Sequence, residues 1–194
     1  MTCDTLDYYT ATTADREEIQ SFLAENFFYD EPLYTKKIVG VLLITVFSRT
    51  DGYSEIGFTS SKNPRVRAVA NILNELHNSF FDLVPSHVNR VLHREISNVA
   101  KAYQRRGIAS KMMNFGLSKE KLMEHQINGI MSETSSIANQ KLLAKNGFRP
   151  LKTILLRDVK GEDGQALLQT DDGTEKAVLN WKPIEEWDFR MFWN

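Results

Sequence analysis

Residues 91–109 read Val91-Leu92-His93-Arg94-Glu95-Ile96-Ser97-Asn98-Val99-Ala100-Lys101-Ala102-Tyr103-Gln104-Arg105-Arg106-Gly107-Ile108-Ala109. The apolar, β-branched run from Val91 to Val99 predicts a strand. From Arg106 to His125 the apolar residues Ile108, Met112, Met113, Phe115, Leu117 and Leu122 predict a helix. A helix mouth carries unpaired N–H groups and a partial positive charge. Gly107 lets a ligand approach the backbone closely, and the small Ala109 keeps the next turn open. Lys101, Arg105 and Arg106 add local positive charge. Such an arrangement suits a phosphate or pyrophosphate. Taken alone it equally suits a solvated basic turn, because short Gly/Arg patterns are common. No Gly-Lys-Ser/Thr follows, so the stretch is not a P-loop, and it lacks the three glycines of the dinucleotide fingerprint.

Working outward, Leu6–Thr12 is β-prone. Asp15–Phe28 predicts an amphipathic helix through Ile19, Phe22, Leu23 and Phe27. Ile38–Ser48 reads as a strand buried on both faces, followed by a turn at Asp51-Gly52. A helix is expected over Pro64–Asp82 and is closed by Pro85. Beyond the 91–125 region, Ile127–Met131 predicts a strand and Ser135–Asn146 a helix ended by Asn146-Gly147. Phe148–Val159 and Ala177–Trp181 are strand-like, with a polar stretch between them and an aromatic tail at Trp187–Trp193. The alternation predicts an α/β or mixed α+β fold, with residues 1–194 forming one domain.

Composition narrows the function. In 194 residues, 42% are hydrophobic and 25% charged, which is globular composition. With 24 basic and 25 acidic side chains the net charge is −1, which argues against gripping nucleic acid or an anionic membrane by bulk charge. Cys3 alone supports neither a disulfide framework nor a cysteine-based metal site. The longest apolar run, Ile38–Phe47, is too short to span a membrane. No secretory leader is visible at Met1-Thr2-Cys3-Asp4, so the cytoplasm is the expected compartment.

Two elements together carry a resemblance. Gln104-Arg105-Arg106-Gly107-Ile108-Ala109 stands after one strand; Asn139-Gln140-Lys141-Leu142-Leu143-Ala144-Lys145-Asn146-Gly147-Phe148 closes the helix after the next. In this order the chain resembles the acetyl-CoA-dependent N-acetyltransferases of the GNAT superfamily, whose Gln/Arg-x-x-Gly-x-Gly/Ala element cradles the CoA pyrophosphate. A third element, Phe27-Phe28-Tyr29-Asp30-Glu31-Pro32-Leu33, resembles the Asp-Glu-Pro-Leu motif of the insect- and nematode-type arylalkylamine N-acetyltransferases. The resemblance implies the GNAT acyltransferase fold, a mixed central sheet with helices on both faces. It implies acetyl-CoA as cosubstrate and a small primary amine, an arylalkylamine in the subgroup, as acceptor. Polyamines or protein lysines are alternative acceptors on this fold, and a non-catalytic acyl-CoA-binding domain is an alternative reading.

Acyl transfer to an amine needs a base, because a free alkylamine has a pKa near 10. It also needs an N–H donor for the carbonyl oxygen. The resemblance places the catalytic glutamate at Glu31, with Asp30 as second choice, and a supporting hydroxyl at Ser136, which equally suits a helix N-cap. It places Ser97, Asn98 and Val99 along the pantetheine, with the Val99 N–H as oxyanion donor. Gln104, Arg105, Arg106, Gly107, Ile108 and Ala109 surround the pyrophosphate, and Asn139 takes the second hydroxyl position of the subgroup. The tyrosine that many GNAT enzymes use as leaving-group acid is replaced by Leu143. His93 and Glu95 share one face of their strand and are read either as acceptor-facing or as part of a polar sheet surface. The set contains no metal-ligand cluster.

The chain also departs from the subgroup. There the Asp-Glu-Pro-Leu motif is followed by a further helix and strand, whereas Leu33-Tyr34-Thr35 runs almost directly into Lys36-Lys37-Ile38. The expectation is a domain lacking one helix and one strand after residue 33, with an exposed sheet edge or a rearranged sheet.

Overall fold

The computed structural model describes residues 8–28, 38–52 and 59–187, with residues 24–28 as backbone only. Its contacts gather into two compact units. One holds residues up to Leu43 and Ile96–Lys121; the other holds Ile44–Glu95 and Leu122–Asp188.

The second unit carries the sheet. Its strands are β1 (Gly40–Ser48), β2 (Arg90–Val99), β3 (Gly129–Thr134), β4 (Arg149–Leu155) and β5 (Lys176–Pro183), in the order β1-β2-β3-β5-β4. β1 and β2 each continue into the first unit, at Leu43 and Ile96. β2 and β3 are parallel, whereas β5 is antiparallel to both β3 and β4. The sheet is therefore mixed. Helices α2 (Pro64–Asn78), α3 (Phe80–Leu83) and α6 (Ile137–Lys145) connect these strands. The core joins Phe47, Ile72, Leu76, Phe80, Val91, Met131, Leu179 and Trp181, with Phe80 edge-on to Trp181 at 5.2 Å. Gly129 sits where a Cβ would collide with the Trp181 ring, so only glycine fits that crossing of β3 and β5.

The first unit contains α1 (Arg16–Phe28), α4 (Ile108–Met112) and the start of α5 (Lys119–Glu124). Phe22, Ile108, Met112 and Met113 are buried. Thr12 and Asp15 form a reciprocal capping box ahead of α1. The carboxylate of Glu18 accepts the Ile38 N–H at 3.1 Å.

Several expectations are corrected. Tyr8–Thr12, the described part of the expected first strand, is not a strand, because Thr12 is spent on capping. β1 is not buried on both faces: Phe47 is buried, but Leu43 and Val46 are exposed, because β1 stands at the end of the strand order. The helix expected over residues 106–125 is broken into α4 and α5. Gly116 takes a left-handed φ of 73° there, and Ser118 accepts the Lys121 N–H to start the next turn. The 64–82 helix divides at Ser79, whose hydroxyl donates to the Leu76 carbonyl. The strand expected to reach Val159 ends at Leu155 in a 3-10 turn.

Candidate active site

In the first unit the basic link folds as a tight turn. Gln104 donates from its side-chain amide to the Val99 carbonyl at 3.0 Å, which ties the loop to the end of β2. Arg105 takes a positive φ of 62° and Gly107 one of 79°. Gly107 is the N-cap of α4 with no side-chain cap. A Cβ built on it meets nothing within 4 Å. Space is thus free beside Gly107, and the N–H groups of Ile108, Ala109 and Ser110 lie ahead of the first intrahelical bond, Lys111 N–H to Gly107 carbonyl. Arg106 lies over the Tyr103 ring at 5.0 Å and donates to the Ala102 carbonyl, so its charge is held beside the turn. Ser97, Asn98 and Val99 are half-buried at the end of β2.

In the second unit, β2 and β3 pair at Leu92–Ile130 and His93–Met131, whereas β3 goes on pairing with β5 through Thr134. Past His93 the hydroxyl of Ser132 reaches the Arg94 carbonyl at 3.1 Å. Ser136 caps α6, accepting the Asn139 N–H at 3.4 Å, so its hydroxyl serves as an N-cap in this structure. The Asn146-Gly147 stop is a Schellman turn: Phe148 N–H reaches back to the Leu143 carbonyl, with Gly147 at φ 80°. Phe148 then packs edge-on against Trp187, the first residue of the aromatic tail.

Two residues that pattern reading did not single out complete a buried cluster. Glu133 of β3 sits with His77 Nδ1 at 3.0 Å from one carboxylate oxygen and His93 Nε2 at 2.5 Å from the other. All three side chains are nearly inaccessible, with 5% to 7% exposure. Burial pushes the Glu133 carboxyl up, but hydrogen bonds from His77 and His93, and their charge, outweigh this and hold it down at about 2. Glu133 is therefore an acceptor only, and both facing ring nitrogens carry hydrogen. The two imidazoles lie 4.7 Å apart, and Phe47 covers His77 at 4.2 Å. His93 is thus not at a polar sheet surface. Glu95 is: its side chain is 35% exposed, it accepts from the Thr45 hydroxyl at 2.5 Å, and it stands 3.8 Å from His93 Nδ1. Two imidazole nitrogens and a carboxylate oxygen lie within 4.8 Å of one another, a spacing that could hold a metal ion. Here the facing donors are already spent on one another. No pattern within its own segment marks either residue: His77 lies on α2 and Glu133 on β3, 56 positions apart.

Arg94, next to His93 but with the opposite strand parity, is 2% exposed. Its Nε and Nη2 have no hydrogen-bond partner, and burial lowers it to about 10. Glu31 and its neighbours Asp30, Pro32 and Leu33, with the segment to residue 37 where a helix and strand were expected to be missing, lie outside the described residues. Among the described residues no helix is long and apolar enough to cross a membrane.

No family profile matches the sequence, and no curated protein matches it by sequence. Solved structures do match the fold. The Drosophila melanogaster polyamine N-acetyltransferase, which forms N-acetylagmatine, superposes with a TM-score of 0.70 at 11% identity, over 91% of this chain and 98% of that one. Arylalkylamine N-acetyltransferase 2 from Aedes aegypti gives 0.67 at 18% identity, over 91% and 97%. Arabidopsis thaliana NAA60, solved with a bisubstrate analogue, gives 0.53 at 12% identity, over 93% and 99%. The chain has the fold of the GNAT N-acetyltransferases.

Proposed function

We propose that this protein transfers the acetyl group of acetyl-CoA to a small primary amine. The observation that carries the reading is the open helix mouth at Gly107. Its left-handed φ and empty Cβ position leave room for a diphosphate ahead of the N–H groups of Ile108, Ala109 and Ser110, beside Arg105 and Arg106. The end of β2 at Ser97, Asn98 and Val99 then runs along the pantetheine arm, with the Val99 N–H as donor to the thioester oxygen. Glu31 enters as a base, and Ser136 and Asn139 as helix-mouth groups, through the likeness to the arylalkylamine subgroup. Neighbours acting on arylalkylamines and on agmatine support a small amine, with an arylalkylamine as the leading acceptor class.

The experiment follows thiol release from acetyl-CoA with tyramine, serotonin, spermidine and agmatine, alongside calorimetry with acetyl-CoA alone. Binding with turnover on an arylalkylamine is the expected result. Binding with no turnover on any amine supports the acyl-CoA-binding alternative instead, and no binding removes both readings.

A further inference from the structure

We propose that His77, His93 and Glu133 form a binding site for a divalent metal ion of the zinc class, which fastens α2 to the strands β2 and β3. The three side chains, with their neighbours Glu95, Thr45 and Phe47, all belong to the second unit. His77 Nδ1 and His93 Nε2 meet opposite oxygens of one carboxylate, at 3.0 and 2.5 Å, so two nitrogens and two oxygens converge. The donor atoms of the three residues lie within 4.8 Å of one another. Zinc bonds to nitrogen and oxygen are about 2 Å long, so tetrahedral donors stand roughly 3.3 Å apart, and small side-chain rotations close the present spacing on an ion. The donor set also selects the ion. Two imidazoles and one carboxylate suit zinc and its first-row neighbours, whereas calcium and magnesium call for shells of oxygen.

A second observation points the same way. A metal-bound imidazole almost always turns its other ring N–H to a carboxylate, carbonyl or water, which fixes the ring. Glu95 stands in that position: its Oε1 is 3.8 Å from His93 Nδ1, and the Thr45 hydroxyl holds it at 2.5 Å. Without an ion, a neutral His93 spends its hydrogen on Glu133 and meets Glu95 acceptor against acceptor. An ion replaces the two hydrogens between the imidazoles and Glu133. Each ring then carries its hydrogen on the far nitrogen, which in His93 is the one facing Glu95, and no proton is gained or lost. The two carboxylates, Glu133 and Glu95, match the double charge of the ion. The three donor side chains are only 5% to 7% exposed, and Phe47 covers His77 at 4.2 Å. A site so closed to water is structural rather than hydrolytic. It lies where β2 and β3 part, because their pairing runs through His93–Met131 and Glu133 is two residues farther along β3. The ion thus ties the helix to both strands at that point, whatever reaction the protein performs.

The test uses the whole chain, stripped with EDTA, dialysed and titrated with Co2+ and then with Zn2+. Cobalt should develop the visible absorption bands of a four-coordinate ion, and zinc should bleach them. Zinc at about a hundredfold excess over its Kd should raise the melting temperature by about 5–10 °C, whereas calcium and magnesium should leave it in place. His77→Gln should abolish the bands and the shift, with circular dichroism checking the fold. Should that buried substitution unfold the chain, Glu95→Gln at its partly exposed position carries the test: zinc affinity should fall about 10- to 100-fold, the scale of a lost outer partner. His87 and His125 are exposed, and replacing both with alanine should leave both signals intact. A wild-type chain with neither cobalt bands nor a zinc shift overturns the proposal and leaves a carboxylate bridging two imidazoles. So does a folded His77→Gln variant that keeps both signals, a Glu95→Gln variant of native affinity, or a loss of both signals with His87 and His125. Every readout is binding or melting, so a chain that acetylates no amine overturns the proposed function and not this inference.

Discussion

Replacing Glu133 with glutamine removes the one charge shared by His77 and His93 while keeping the side chain's size. The carboxyl is held at about 2 against an ordinary 4.5. A difference of that size corresponds to about 3 kcal/mol of stability at neutral pH. The folded value lies below the unfolded one, so this contribution is complete above about pH 4.5 and is lost as the pH falls toward 2. Glutamine does not titrate, so the gap between wild type and variant should trace this one group. Urea denaturation at pH 7 should show Glu133→Gln less stable by about 3 kcal/mol, or roughly 6–12 °C in melting temperature for a chain of this size. At pH 3 more than half of the gap should be gone, because wild-type Glu133 is then protonated in the unfolded state and still ionised in the folded one. A gap below about 1 kcal/mol at pH 7, or one that does not change between pH 7 and pH 3, refutes the idea that the two imidazoles stabilise an ionised Glu133.

Two further substitutions test the loop and the buried cation. Gly107→Val places a β-branched residue at φ 79° and fills the empty position before α4. Acetyl-CoA affinity should fall at least about tenfold, ~1.4 kcal/mol, and calorimetry showing native affinity would remove the loop from the binding site. Arg94→Met exchanges a buried guanidinium with two unpartnered nitrogens for an apolar chain of similar length. It should raise stability by about 1–3 kcal/mol; a lower melting temperature would show that Arg94 has a compensating partner.

Local chemistry was enough for the parts of the fold that depend on near neighbours in sequence. Asn146-Gly147 ends α6 because only a left-handed residue completes the turn back to Leu143, and that requirement is visible in the chain. The Gln104–Ala109 link was legible for the same reason: a glycine ahead of a helix with basic neighbours is a local statement about backbone freedom and charge. The broken 106–125 helix was misread because apolar spacing continues through Gly116, and the period carries no record of one residue's φ.

Burial and convergence were decided elsewhere. Ile38–Ser48 reads as an interior strand from its side chains, yet its place at the end of the strand order leaves Leu43 and Val46 in water. Neither His77 nor Glu133 carries a signal in its own segment, because 56 positions separate them in the chain. Their meaning arises when the β2–β3 register sets His93 beside Met131, α2 packs over the sheet, and a carboxylate from one strand falls between two imidazoles from different elements. Sequence alone determined where a glycine with basic neighbours opens a helix. The packing of distant segments determined which side chains share a proton, because a hydrogen bond depends on distances in space that sequence spacing does not encode.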